Sequence, residues 1–432
     1  MPGTVIPRVR ASAATTPGRL TLIMAGLSLL AVLTGVVGLT TLQGKASTLD
    51  DLVNQREPVN AAAQQIYRAL SDADATAASA FLSGAIEPAA LRDRYSTDVQ
   101  QAGIALAVAA TDISSGNSEA GLPIAQLSAD LPAYTGLIER ATANNEQGYP
   151  VGSAYLREAD NLMRTVLLPA AQKLYDIDTA RMSGEQDDAA AFPWVLTVLV
   201  VALIAGLVLA QRYLSGRTNR TFNLGLVVAS GAALIAVLWT AVGLTMSTIY
   251  VNKGEDTGSG VVTVLTNVRS AALQARTDEM LTLVDRGGVD YSTQFDGLAN
   301  RIGGKDGSGG LLQIAELASD SSTVQPIHTA MTSAQQWFAL HDRMTKADND
   351  GDYAAAVQIA LGTDPQYKES NAFYQLDDAV AKAVLQGRTN FLDQTATASN
   401  WLTILPIGVL VLGLLAAAGC VLGIWQRLRE YR

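Results

Sequence analysis

The chain of 432 residues has a single cysteine, Cys420, so no disulfide can form within it and any exported segment must be held by packing alone. Charge is scarce: 16% Asp, Glu, Lys and Arg stands against 49% hydrophobic residues, an apolar balance for a soluble protein. The basic residues are too few for a nucleic-acid surface, and no nucleic acid is expected as a partner. No Gly-x-Ser-x-Gly, His-Glu-x-x-His or kinase signature occurs, which removes the usual marks of hydrolases, zinc proteases and kinases. The two histidines, His328 and His341, stand 13 positions apart, with no acid or cysteine at a metal-ligand spacing beside them. The chain therefore reads as a non-enzyme with no cofactor, no metal and no catalytic residues.

What is present is apolar length. The runs Leu20 to Gly44, Ala189 to Gln211, Thr221 to Asn252 and Gln394 to Gln426 contain no Asp, Glu, Lys, Arg or His. Each is long enough to cross a hydrocarbon core of about 30 Å as a helix. Ion and proton pathways place charges inside such spans, so their absence argues against a pump or coupled transporter. The first run has basic residues before it, as a secretory signal would. Its apolar part, Leu20 to Leu42, exceeds the roughly 7 to 15 residues of a signal core, and it reads as an uncleaved anchor.

Orientation follows from the basic residues. Arg8, Arg10 and Arg19 precede the first span, Arg212, Arg217 and Arg220 lie between the second and third, and Arg427, Arg429 and Arg432 follow the fourth. The segments Lys45 to Asp188 and Lys253 to Asp393 hold 20 and 19 acids against 10 and 11 basic residues, net −10 and −8. The positive-inside rule then puts both termini and the central loop in the cytoplasm and both large segments outside a plasma membrane. The predicted order is a tail (1–19), span one (20–43), outer segment one (44–188), span two (189–211), a cytoplasmic loop (212–221), span three (222–248), outer segment two (249–399), span four (400–426) and a tail (427–432).

The two halves look alike. Ala143-Asn-Asn-Glu-Gln-Gly-Tyr149 and Ala347-Asp-Asn-Asp-Gly-Asp-Tyr353 match in type 204 positions apart, and at that offset Asp74 falls on Asp278 and Gly84 on Gly288. Val37 to Thr40 recurs as Val242 to Thr245 at an offset of 205. Ordered matches at nearly one offset point to a tandem duplication of a span, outer segment, span unit.

Both outer segments carry helical periodicity in an Ala-rich background. In the first, helices are predicted from Leu49 to the turn at Gly84 and Pro88, from Ala89 to a break at Ser114 to Asn117, from Pro123 to near Gln147, and from Val151 towards span two. In the second they run from Ser259 to Val284, Tyr291 to Ile302, Leu311 to Lys346 with a kink near Pro326, Tyr353 to Leu361, and from Tyr367 into span four. The fold class is thus an all-α integral membrane protein with four transmembrane helices and two extracytoplasmic antiparallel four-helix bundles.

Three stretches imitate chemistry. Asp348-Asn-Asp-Gly-Asp352 opens like a calcium loop, but its glycine is at the fourth place and Ile359 stands at the twelfth, so a polar interhelical turn fits better. Gly303 to Gly310 lacks the Gly-Lys-Ser/Thr ending of a phosphate loop and reads as a flexible connection. Gly35, Gly38, Gly225, Gly231, Gly243, Gly408, Gly413, Gly419 and Gly423 offer close-packing faces to the spans, although glycine is also simply common in membrane helices. Pro406 is a candidate kink; Trp194, Trp239, Trp401 and Trp425 are candidate interfacial anchors.

A span, a four-helix bundle and a returning span resemble the sensory half of chemoreceptors and histidine kinases, here present twice and without the cytoplasmic output module. The whole layout, including the basic N-terminal tail and the arginine-bearing inner face, resembles the actinobacterial GlnX-type membrane signalling proteins. That resemblance implies a relay. An extracytoplasmic solute-binding lipoprotein of the aspartate or glutamate type contacts the outer segments, and a cytoplasmic serine/threonine kinase is controlled inside. The resemblance carries over no single residue; Arg212, Arg217 and Arg220 are candidate coupling residues because their loop is the only cytoplasmic element tied to both repeats. The alternative is a structural or assembly protein whose acidic bundles bind an envelope component. Direct binding of a small carboxylate is not expected, because neither outer segment shows a distinctive cluster of arginines.

Overall fold

The computed structural model describes residues 16–84, 87–114, 118–218, 223–285, 291–304, 309–362 and 372–430. Among them every regular element is a helix, and four are long and apolar enough to cross a membrane. The chain divides into two compact units. One comprises residues 1–52, 185–252 and 394–432, and the other residues 53–184 and 253–393.

The first unit holds the apolar helices α1 (Thr16–Asp51), α7 (Trp194–Thr218), α8 (Leu224–Gly254) and α15 (Leu405–Glu430). Helix α1 packs along α15 through glycine: a Cβ on Gly413 would stand 2.9 Å from the Gly35 Cα. Helix α8 meets α15 in the same way, and a Cβ on Gly225 would lie 2.4 Å from the Gly423 Cα. Such approaches replace the hydrophobic drive that lipid cannot supply between helices. Gly231, by contrast, has open space where a Cβ would go, so its glycine is not a packing residue. Polar side chains bridge as well. Asn223 Nδ2 donates to the Gly423 carbonyl at 2.7 Å, and Gln211 Nε2 donates to Ser230 Oγ at 2.8 Å.

The stretch predicted as a loop from 212 to 221 is helical through Thr218, because nothing between Gln211 and Thr218 breaks the backbone ladder. Arg212 is exposed on α7 and Arg217 lies on the same helix, while Arg220 is outside the described residues.

The second unit contains α2 (Glu57–Leu82), α3 (Ala89–Ser114), α4 (Ser118–Glu146), α5 (Val151–Leu162) and α6 (Leu168–Ala190, shared with the first unit). These are followed by α9 (Gly260–Asp285), α10 (Ser292–Ile302), α11 (Gly310–Ala318), α12 (Val324–Asn349), α13 (Tyr353–Leu361) and α14 (Ala372–Thr403, its end again in the first unit). Helical assignment is unbroken from Thr16 to Leu82 and from Leu224 to Asp285, with one π-helical turn in each, at Leu52–Arg56 and Glu255–Ser259. A third π turn, Met163–Leu167, joins α5 to α6. Helices returning to the apolar segments are interrupted instead. Residues 191–193 separate α6 from α7 at Pro193, and Ile404 separates α14 from α15 just before Pro406. Proline lacks the N–H that would carry the ladder onward. The predicted kink at Pro406 is present, whereas the smooth entry into span two is not.

The two long segments, expected as separate bundles, pack together as one compact unit, with α2 against α9. Residues 69–80 of α2 are buried without exception, and residues 271–283 of α9 are buried apart from Gln274 and Thr282. A helix enclosed on every side needs small residues on every side. The alanines of α2 provide them: Ala63, Ala69, Ala73 and Ala78 are all at most 1% exposed. One core contains Leu281 of the second segment beside Tyr67, Tyr134 and Met163 of the first, and another joins Ala78 and Leu82 to Met280, Leu283 and Met344.

The third helix of the second segment breaks outright rather than kinking at Pro326. Asp320 Oδ1 accepts from the backbone N–H of Ser322 (2.9 Å) and Thr323 (3.1 Å), closing a turn between α11 and α12. Pro326 then sits in the first turn of α12, where a missing N–H costs nothing. Asp348 to Asp352 is the polar turn expected: Gly351 takes φ +85°, and Asp352 caps α13 by accepting from Ala355 N at 3.1 Å. Of Gly303 to Gly310, residues 305–308 lie outside the described residues.

Candidate functional site

Within the helical unit, one face each of α2, α9 and α14 meets around a cavity of about 190 Å³. Gln64, Gln65, Tyr67 and Arg68 come from α2, Thr266, Arg269, Ser270 and Leu273 from α9, and Ala381, Val384, Leu385 and Arg388 from α14. On α9 and α14 the spacing is i, i+3, i+4, i+7, the positions that share one helix face. The wall therefore has three guanidinium groups and no acid.

The counter-ions stand outside that lining. Asp377 grips Arg269 in a bidentate pair through Nε and Nη2, the latter at 2.7 Å. Asp72 accepts from Arg68 Nη1 at 3.0 Å and from Arg94 Nη2 at 3.1 Å, and Arg94 lies 4.8 Å over the Tyr374 ring. Arg68 also donates to Gln65 (3.1 Å) and Gln101 (2.5 Å). Arg388 donates to Gln64 Oε1, and its nearest acid, Glu57, approaches to 3.8 Å. Tyr67 Oη accepts from Ser270 Oγ at 2.8 Å and from Gln274 Nε2 at 2.6 Å.

Electrostatics follow burial. Loss of solvent, and then the adjacent Arg269, lower the Arg68 pKa; loss of solvent lowers that of Arg388. Burial and the neighbouring Asp377 raise Asp72, and burial with the nearby Asp72 pushes Asp98 up to about 7. Positive charge is thus gathered at the wall, while Asp72 and Asp98 resist ionisation.

Two further buried clusters flank this pocket. Arg164 pairs with Asp160 (2.6 Å) and approaches Asp278 to 2.7 Å, and Asp74 accepts from Tyr134 Oη at 3.2 Å. The Arg164–Asp278 contact is an ion pair by distance but lacks hydrogen-bond alignment, which leaves both Asp278 oxygens without a hydrogen bond among the described residues. Burial, opposed by Arg164, raises Asp278 to about 6, and burial together with Asp160 holds Asp74 well above its usual range. In the other cluster Glu279 pairs with Arg276 and accepts from Trp337 Nε1 (3.2 Å), with His341 Nδ1 at 3.1 Å. Although burial opposes it, Arg276 and His341 lower the Glu279 pKa.

His341 stacks on Phe295 with ring centroids 3.4 Å apart, whereas His328 is exposed and meets Glu316, so the two histidines do not converge. No group of three or more His, Cys, Asp or Glu is arranged to hold a metal among the described residues.

The arginine wall is not visible in the sequence, because Arg68, Arg269 and Arg388 belong to helices far apart in the chain. The one local signal was an arginine inside an otherwise alanine-rich apolar stripe with Asp72 at i+4, a pattern that marks a buried pair as readily as a solvated one. The arrangement can recognise an anion: planar forks, amides and hydroxyls stand beside aliphatic side chains.

No curated protein and no solved structure matches the chain. Residues 48–187, which include Arg68 but neither Arg269 nor Arg388, match the family model described as the actinobacterial sensor domain. That similarity supports a sensing and signalling role for a chain with four membrane-grade helices.

Proposed function

We propose that this protein is a non-enzymatic transmembrane signal relay built by tandem duplication. The observation that carries the reading is the unbroken helical assignment from α1 into α2 and from α8 into α9, whose far halves form the buried central pair. Helical backbone thus continues from the apolar helices into that pair through a π turn in each, whereas Pro193 and Ile404 to Pro406 interrupt the returning helices. The duplication draws support from placement as well as sequence: the π turns at 52–56 and 255–259 differ by 203 positions, close to the 204 that relates Asp74 to Asp278. The charge balance of the segments supports an orientation with both termini in the cytoplasm and the two acidic segments, as paired helical bundles, outside.

In this reading an extracytoplasmic solute-binding lipoprotein, loaded with an amino acid of the aspartate or glutamate type, engages the acidic segments, and a cytoplasmic serine/threonine kinase reads the inner face near Arg212, Arg217 and Arg220. The partner shifts the equilibrium only by the difference in its affinity for two helix arrangements. Site-specific cross-linking in native membranes tests this: contact between the segments and the binding protein rises or falls with solute. Contact that is the same with and without every solute removes the relay and favours an assembly protein bound to an envelope component.

A further inference from the structure

We infer that the pocket between α2, α9 and α14 binds a small organic carboxylate directly. Its wall presents Arg68, Arg269 and Arg388 and no acid, an unusual concentration for a unit whose segments are net acidic. The carboxylates that balance these groups are outside the lining: Asp377 engages Nε and Nη2 of Arg269, leaving Nη1 outside the pair, Asp72 accepts from Nη1 of Arg68 at 3.0 Å, and Glu57 is 3.8 Å from Arg388. An anion in the cavity would meet partly buried guanidinium groups in a medium of reduced dielectric, where a charge-assisted hydrogen bond is stronger than in water.

The remaining lining selects among anions. Ser270 and Tyr67 already share a hydrogen bond at one side, and Gln64 positions Arg388, so the polar groups are held in place before a ligand arrives. On the same helix faces Leu273, Val384 and Leu385 add aliphatic surface to the lining. Inorganic phosphate has nothing to place against that surface; a carboxylate with a short carbon chain has. At about 190 Å³ the cavity is smaller than the roughly 300 Å³ at which drug-sized sites begin, so the ligand is a small metabolite.

Position gives the site its consequence. Arg68 belongs to the first segment, Arg269 and Arg388 to the second, so a bound carboxylate ties α2 to α9 and α14. It would favour the arrangement in which the three side chains line one cavity, because it adds a bridge between them that other arrangements lack. The signalling consequence rests on the relay reading; the binding does not.

Calorimetric titration of the full chain in lipid nanodiscs with acetate, lactate, succinate, L-alanine, L-glutamate and inorganic phosphate tests the inference. At least one carboxylate is expected to give saturable heat, with phosphate weaker. Arg388→Gln should weaken that affinity about tenfold or more, the scale of one charge-assisted hydrogen bond. Leu385→Trp, at a wall residue 66% exposed and outside every ion pair, should close the cavity without touching the network and abolish binding even if Arg388→Gln proves unstable. Wild-type protein with an intact melting transition that binds none of the carboxylates overturns the inference. So does phosphate binding as tight as the best carboxylate, or binding that survives Leu385→Trp. Because no partner protein is present, a negative result leaves the cross-linking test of the relay standing, and failure of that test leaves this one standing.

Discussion

Replacing Arg164 with Met isolates the charge that holds the two segments together at the Asp74, Asp160 and Asp278 cluster. Arg164 is 28% exposed and pairs with Asp160 of its own helix and with Asp278, whose side chain is 0% exposed on α9. Methionine keeps most of the aliphatic stem, so the change removes charge more than packing. Breaking a buried pair by taking one partner costs about 3–5 kcal/mol, and the partial exposure of Arg164 places this case near the lower end, about 3 kcal/mol. The loss should depend on pH in a definite direction. Asp278 has its pKa raised from 3.8 to about 6, so its ionisation already costs stability as pH rises through that value. Without Arg164 the pKa climbs further and the penalty at alkaline pH grows; near pH 5, below the value of about 6, Asp278 can stay protonated and the penalty shrinks. Thermal melts of the full chain in detergent, followed by far-ultraviolet circular dichroism, should show the variant lower by roughly 6–12 °C at about pH 8 and by only a few degrees at about pH 5. Equal losses at both values would mean that packing, not charge, holds the cluster. A loss below about 1 kcal/mol at pH 8 would mean that the pair is no stronger than a surface one.

Asp98 carries the same sign. Its pKa is raised to about 7 by burial, so wild-type stability falls as pH climbs from about 4 through 7, and Asp98→Asn should flatten that decline in melts taken across the range. In the apolar unit, Gly225→Ala would press a Cβ to 2.4 Å from the Gly423 Cα and should cost about 1–3 kcal/mol in detergent unfolding, whereas Gly231→Ala meets nothing within 4 Å and should be neutral or slightly stabilising. Should the two variants melt alike, the α8–α15 approach is not tight. If the relay proposal holds, Arg217→Gln with Arg220→Gln, Arg212 being kept to hold topology, should weaken control of the proposed kinase while leaving topology unchanged by protease accessibility. Intact control would reduce these arginines to topology alone.

Much of the secondary structure was legible because it depends on local patterning. The helices at Ala89–Ser114 and Tyr353–Leu361 follow from punctuation at either end: Pro88 and the Ser-Ser-Gly-Asn stretch for one, Asp352 and Gly362 for the other. The four apolar spans follow from length and absence of charge. Errors arose where a local choice had competitors. Gly216 did not stop α7, which runs to Thr218, and the Ser319 to Thr323 turn broke a helix that periodicity alone would have joined.

Sequence alone determined that the chain is helical, that four segments suit a membrane, that the halves share an offset, and that no disulfide staples them, since each is a property of composition or spacing. Only the tertiary structure decided that α2 and α9 pack together at the centre of one unit. It also decided that Asp278 faces Arg164, and that Arg68, Arg269 and Arg388 converge on one cavity. The physical reason is that a helix face is readable from 3.6-residue periodicity, but residues 69–80 of α2 and 271–283 of α9 are buried on nearly every side, and there no apolar stripe shows which neighbour each side meets.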